Sequence, residues 1–330
     1  MEMPTSQLTG ITLKDMFDAG LHFGHQTKRW NPKMKGYIFD KRNGIHIIDL
    51  TQSVTLLDEA AAFLRDTVLA GKNILFVATK KQVAEMVKDA ATSVGQFYIT
   101  ERWLGGTLTN AKTIRSSVKR MRQLQATAKA NGGELSEHKQ EASMLRRELA
   151  KLEKNLTGIA DMAEQPGAVV VVDVVREANA VKEAVRLHIP VVAIVDTNAD
   201  PEPIDYVIPG NDDSVRGVEL ILNGLTKVVK TAADEYSAKA AEENKKREAA
   251  RKERDDAEKA ARAERKAKSA AKKPAAGAAK KATVAVNVKA AARAAKEAAE
   301  AKAKADLEAK RQAAVVEAEA AVAAAAPAAE

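Results

Sequence analysis

The chain contains no cysteine. Disulfide frameworks, thiolate zinc sites and cysteine nucleophiles are excluded, and a reducing cytoplasm is the expected setting. Long apolar runs are also missing. The strongest, residues 168–175, carries Asp173 and is far shorter than the ~20 residues a membrane helix needs. The first ten residues lack the basic start and apolar stretch of a signal peptide, so no leader and no membrane partner are expected. Large apolar residues are scarce after position 235: 40 of the last 95 residues are Ala, with Tyr236, Leu307 and six Val as the larger ones. Such a stretch buries too little surface to offset its ordering entropy, and 236–330 is expected to be a disordered or transiently helical tail.

Acidic residues are missing where it matters most. Residues 1–235 hold 30 Lys+Arg and 30 Asp+Glu, so the net charge of +8 resides entirely in the tail. A basic isoelectric point therefore says little about the folded part, and local clusters must carry any argument for a polyanionic partner. Between residues 28 and 42 stand Lys28, Arg29, Lys33, Lys35, Lys41 and Arg42 against Asp40 alone, interleaved with Trp30, Tyr37 and Phe39. Between 102 and 131 stand Arg102, Lys112, Arg115, Lys119, Arg120, Arg122 and Lys129, with no Asp or Glu.

The periodicity of the chain predicts an α/β body. Thr12 and Asp15 form a capping-box pattern for a short helix closed by Gly20. Two short strands are expected around Asn43-Gly44, then helices over 51–70 and 80–94 with a buried strand over 73–78 between them. A strand at 96–99, the β-α-β unit 168–174, 177–187 and 191–195, a short strand at 206–208 and a closing helix from Ser214 to about 233 complete a parallel sheet covered on both faces. Between them, Ile114, Val118 and Met121, and then Leu145, Leu149, Leu152, Leu156 and Ile159, recur at spacings of 3 and 4 around Gly132-Gly133. This predicts an antiparallel coiled-coil hairpin. The expected division is 1–103 and 164–235 for the body, 104–163 for the hairpin and 236–330 for the tail.

Enzymatic fingerprints are absent. Thr79-Lys80-Lys81-Gln82 follows a strand without the glycines that let backbone approach a pyrophosphate, and no Walker motif occurs. The glycines of Trp103-Leu104-Gly105-Gly106-Thr107 either open amides to a phosphate at a helix N-terminus or make a tight turn. His22 and His25 would need a third ligand from Asp196, Asp200 or Asp205 to hold a metal, and Asp212 and Asp213 read most simply as helix caps. No catalytic residue, metal, cofactor or small-molecule substrate is expected. The alternative is a phosphate- or nucleotide-binding α/β enzyme with a carboxylate metal site at Asp196, Asp212 and Asp213.

The two basic clusters favour RNA. Pro32 disfavours helix at Asn31, so residues 28–35 read as an extended loop able to follow a phosphate chain, with Trp30 either stacking on a base or anchoring the loop. Lys112, Arg115 and Lys119 make a basic stripe offset from the apolar one.

Residues 19–34, Ala-Gly-Leu-His-Phe-Gly-His-Gln-Thr-Lys-Arg-Trp-Asn-Pro-Lys-Met, resemble the N-terminal signature of the bacterial family of small-subunit ribosomal protein two. The segments Arg-Trp-Leu-Gly-Gly-Thr-Leu-Thr-Asn at 102–110, Asp-Thr-Asn at 196–198 and Ile-Pro-Gly-Asn-Asp-Asp at 208–213 resemble three further motifs of that family in the expected order. The resemblance spans about 7–233 and leaves the tail outside. It implies a flavodoxin-like sheet with an inserted coiled-coil hairpin, seated on small-subunit (16S-type) rRNA among neighbouring ribosomal proteins, and helping to hold protein one of the subunit. On matching positions it places RNA contacts at Lys28, Arg29, Trp30, Asn31, Lys33, Lys35, Lys41, Arg42, Arg102, Thr107 and Asn110, and on the helix face of Lys112, Arg115 and Lys119.

Overall fold

The computed structural model describes residues 5–271. Helix α1 (Leu13–Asp18) begins with a reciprocal cap, in which the Thr12 hydroxyl accepts from the Asp15 amide at 3.1 Å and the Asp15 carboxylate accepts from the Thr12 amide at 2.9 Å. Strands β1 (Phe23–Gln26), β2 (Ile38–Arg42) and β3 (Ile45–Ile48) then form a small antiparallel sheet in the order β1-β3-β2. Asn43 and Gly44 turn the β2-β3 hairpin at φ 53° and 76°, the left-handed pair its twist requires. The loop 28–35, expected to be extended, instead enters a 3-10 turn, Pro32–Tyr37. Pro32 sits at its first position, where no amide is needed, and the Asn31 side chain caps it by accepting from the Lys33 amide at 3.0 Å.

Helix α2 (Leu50–Leu69) leads into the main sheet. Its strands are β4 (Ile74–Val77), β5 (Phe97–Ile99), β6 (Ala168–Val172), β7 (Val191–Val195) and β8 (Tyr206–Pro209), all parallel and ordered β5-β4-β6-β7-β8. This is the flavodoxin-like winding, with the order reversing between β4 and β6. Phe76 pairs with Val170 and Val170 with Val192, in register across the three central strands. The connecting helices are α3 (Ala84–Ser93), α4 (Ala111–Ala130), α5 (Lys139–Leu156) and α6 (Ala178–Arg186), followed by α7 (Val215–Ala271).

Alternation along the strands divides the interior into two cores. Ile74, Phe76, Val170, Val192 and Ile194 pack with Leu57 and Leu64 of α2, Val87 of α3 and Val218, Leu222 and Val229 of α7. Leu75, Val77, Val169, Val171, Val191 and Val195 face the other way, onto Met121 of α4, Leu156 of α5 and Ala180 and Val181 of α6. Because both faces are covered, the strands read as unbroken aliphatic runs. Helices α4 and α5 touch each other, with Arg120 paired to Glu148 at 3.0 Å and the Gln125 amide donating to Glu153 at 2.7 Å.

Two boundaries differ from expectation. Helix α3 starts at Ala84 instead of 80, because Lys80 is drawn into a loop contact described below. Helix α7 passes the expected stop near 233 and reaches Ala271, although the last buried apolar side chain among those described is Ala232. The Ala, Lys, Glu and Arg that follow are the strongest helix formers, and no Gly or Pro interrupts them before Pro274. The chain divides into two units, Met1–Arg247 and Glu248–Glu330. Of the expected tail, 272–330 lies outside the described residues.

Phe76 is fully buried at the sheet centre whereas Met144 on α5 is exposed. Phe76→Ala is expected to cost about 3–5 kcal/mol in urea unfolding, and Met144→Ala to stay within about 0.5 kcal/mol.

Candidate nucleic-acid interface

The first basic segment is held on the body by its uncharged residues. Trp30 is half-buried with its ring 5.1 Å from that of buried His46, so it anchors the loop. The Asn31 amide donates to the Thr197 carbonyl at 2.7 Å, and Met34 is fully buried. Lys33 is matched internally, pairing with Asp200 at 2.9 Å and with Glu202. Both acids raise its pKa, Glu202 foremost. Lys28, Arg29, Lys35, Lys41 and Arg42 remain. Their side chains are exposed and make no ion pair or hydrogen bond with any described residue.

The second segment is organised around a residue that no motif announces, Glu183 of α6. Its carboxylate accepts from Trp103 Nε1 at 3.0 Å and from the amides of Gly106 at 2.7 Å, Leu108 at 3.0 Å and Thr109 at 3.1 Å, with the Thr109 hydroxyl at 3.1 Å. The amides that could have met a phosphate are therefore satisfied from within, and Gly106, at φ 88°, makes the turn. Burial pushes the Glu183 carboxyl up, but the hydrogen bonds from Trp103, Gly106, Thr109 and Leu108 outweigh it and the net shift is downward. Thr107 is buried and donates to the Leu104 carbonyl, a contact internal to the turn.

Along α4 the cations divide in the same way. Arg115 donates to the Ala163 carbonyl, Arg122 to the Ala160 carbonyl and Asp161, and Arg120 pairs with Glu148. Arg102, Asn110, Lys112 and Lys119 are exposed, and their side chains engage none of the described residues. The expected stripe of Lys112, Arg115 and Lys119 thus keeps two free members, because the Arg115 guanidinium reaches the 159–165 segment.

The carboxyl edge of the main sheet, where such folds take ligands, is filled by the chain itself. Buried Glu177 accepts from the Thr79 amide at 2.9 Å and from its hydroxyl at 2.5 Å, and Arg176 Nε donates to that hydroxyl at 2.8 Å. Lys80 Nζ donates to the Asp212 carbonyl at 2.8 Å, lies 3.4 Å from its carboxylate and pairs with Asp213. His25 Nδ1 stands 3.0 Å from Asp196, whose hydrogen bond raises the imidazole pKa against the pull of burial. His22 turns away into a stack with Phe17 at 4.2 Å, so the two histidines do not converge. Asp200 is taken by Lys33, and Asp205 accepts from the Val191 amide at 2.9 Å. Among the described residues no three His, Cys, Asp or Glu side chains come together as a metal site, and no helix is long and apolar enough to cross a membrane.

Beside the small sheet lies a groove of ≈ 580 Å³ lined by Leu13, Phe17, Phe23, Phe39, Ile45 and Ile47, with Arg42 at its rim. Phe17, Phe23 and Phe39 are all exposed there, and Phe39 retains 75% of its surface.

Burial, with Asp173 and Asp196 nearby, raises the Asp212 pKa to about 7 against the opposing charge of Lys80. A carboxyl that binds its proton more tightly folded than unfolded lowers stability as pH rises through that interval. Asp212→Asn should therefore gain on the unaltered chain between about pH 4 and 7, reaching up to roughly 4 kcal/mol above pH 7 by urea denaturation. A pH-independent difference would contradict this assignment.

A match to the family described as Ribosomal protein S2 covers residues 16–232. The chain is 51% identical over 224 residues to the small ribosomal subunit protein uS2 of Corynebacterium jeikeium, covering 68% of this chain and 79% of the relative. It is 48% identical over 222 residues to uS2 of Solibacter usitatus, covering 67% and 73%. To uS2c of Cyanophora paradoxa it is 50% identical over 219 residues, covering 66% and 94%. With this fold, these motifs and matches of this extent, the chain belongs to the Ribosomal protein S2 family, structural proteins of the small ribosomal subunit and not enzymes.

Proposed function

We propose that the chain binds small-subunit rRNA through two groups of unpaired cations, working in the cytoplasm as part of the subunit. One group is Lys28, Arg29, Lys35, Lys41 and Arg42 on the loop and hairpin. The other is Arg102, Lys112 and Lys119 at the start and along the face of α4, with Asn110 beside them as a neutral hydrogen-bonding side chain.

The observation that supports this reading is the division of cations within each segment. Lys33, Arg115, Arg120 and Arg122 are matched to carboxylates or carbonyl oxygens of the chain, whereas their neighbours have no partner among the described residues. Solvated faces normally carry both signs, and unpaired cations with few acidic neighbours suit a phosphate backbone. Trp30, Asn31, Lys33, Thr107 and Arg115 enter as the residues that seat these groups. The action is electrostatic and geometric, with no bond made or broken.

Neighbouring ribosomal proteins, protein one among them, are read onto the groove of Phe17, Phe23 and Phe39. Exposed aromatic side chains gathered around one apolar groove mark an interaction surface. The hairpin of α4 and α5 is read as an insertion presenting the second cation group.

Replacing Arg102, Lys112 and Lys119 together by Ala is expected to lower the log-log salt slope of rRNA association by up to roughly 3. Lys33→Ala should leave the slope unchanged. Equal slopes for the triple variant and the unaltered chain would remove α4 from the interface. Phe39→Ala should reduce retention of a protein neighbour in co-sedimentation with subunits while leaving the salt slope and folding stability within error. Full retention would separate the groove from protein binding.

A further inference from the structure

Glu183 lies outside every motif on which the proposed RNA interface was built. It stands on α6, which contributes no cation to that interface, and its sequence neighbours mark it as an ordinary helical glutamate. Yet both carboxylate oxygens are engaged: Oε1 accepts from Trp103 Nε1 and the Gly106 amide, Oε2 from the amides of Leu108 and Thr109 and the Thr109 hydroxyl. These donors span 103–109, the stretch that joins Arg102 to Asn110 and the first turn of α4. We propose that Glu183 is a positioning residue for RNA binding, holding residues 102–112 in the conformation that sets the spacing of Arg102, Asn110 and Lys112.

Three features of the site bear this out. The donors come from one short segment and converge on one side chain, so a single carboxylate fixes the direction in which the amides of Gly106, Leu108 and Thr109 point. An acceptor with two charged oxygens suits this set, because several N–H groups must be met at once and each buried one left unmet is costly. The carboxyl is also held ionised by these bonds in spite of its burial. Apart from the burial of Trp103 and Leu108, the remaining ties of the turn are its own, such as the Asn110 amide donating to the Gly106 carbonyl at 2.8 Å. Thr107 bonds only to Leu104 within it, and the Asn110 side chain makes no cap to α4. Without Glu183, Gly105 and Gly106 would give the segment wide backbone freedom, and the cations flanking it would lose their fixed separation.

The inference rests on the RNA reading above, and the two fail differently. In the full chain, Glu183→Ala is expected to weaken association with small-subunit rRNA by about tenfold or more, and to increase amide hydrogen exchange at Gly106, Leu108 and Thr109. Far-UV circular dichroism of the main body should be retained. Added acetate should restore part of the affinity relative to chloride at equal ionic strength, since a free carboxylate can enter the vacated place; a merely structural defect would not respond. Glu183→Gln keeps the size but offers one acceptor oxygen to four N–H groups and is also expected to bind weakly, which carries the comparison should the Ala chain unfold. Unchanged affinity in both variants, or a loss that acetate does not move, would overturn the positioning role. If instead the Arg102, Lys112 and Lys119 triple variant binds rRNA as well as the unaltered chain, the interface itself is wrong while the exchange measurement still reports what Glu183 does to the turn.

Discussion

Backbone N–H groups in turns at the carboxyl edge of a parallel sheet must find acceptors, and in most folds of this winding a ligand supplies them. Here the chain supplies its own. Two glutamates, Glu177 at the N-cap of α6 and Glu183 within the helix, take the loop after β4 and the turn before α4: Glu177 accepts from Thr79, Glu183 from Gly106, Leu108 and Thr109. Charged acceptors are strong enough to hold such turns without a bound anion. The same contacts that remove a ligand crevice also tie α6 to the root of α4. A surface helix is thereby fixed to the sheet at its N-terminal end, where glycine would otherwise loosen it.

Opposite charges elsewhere follow the same logic. Lys80 is drawn over Asp212 and Asp213, and Lys33 over Asp200 and Glu202, so acids at the sheet edge and the loops around it are matched by cations of the body. Arg115 and Arg122 cross to carbonyl oxygens of the 159–165 segment. What is left over is sorted by place. Lys28, Arg29, Lys35, Lys41, Arg42, Arg102, Lys112 and Lys119 find no partner among the described residues, and a polyanion would meet them without first breaking an internal pair. A neutral body can thus offer cationic surface, because these unpaired bases gather on two segments while unpaired acids such as Asp18, Glu59, Glu85 and Asp89 lie on α1, α2 and α3.

The main sheet is legible in the residues because burial on both faces leaves uninterrupted apolar strands at 74–77, 168–172 and 191–195, the first two followed by helical spacing. The hairpin turn at Asn43-Gly44 is legible for a local reason, the positive φ that this pair tolerates. β1 is not, since Phe23-Gly24-His25-Gln26 shows no useful alternation and becomes a strand only by pairing with β3. The 3-10 turn after Asn31 escapes for a similar reason: proline excludes helix before itself but permits a tight turn after. At the candidate site the positions of the basic clusters follow from counting charges along the chain. Their division into paired and unpaired members does not, because Lys33 meets Asp200 and Arg115 meets Ala163 across long separations in sequence.

Composition and periodicity by themselves determined the α/β class, the absence of thiol chemistry, the place of the charge excess and the two segments able to face a polyanion. These depend on local preferences and on the partition of apolar residues, both of which are written residue by residue. Only the tertiary structure decided that Trp30 anchors its loop, that Glu183 and Glu177 occupy the sites a phosphate could have used, and which cations remain available. Those outcomes depend on pairings between distant segments, and hydrogen bonds and ion pairs act over a few ångströms, so they exist only once the sheet has brought α6 to the turn before α4.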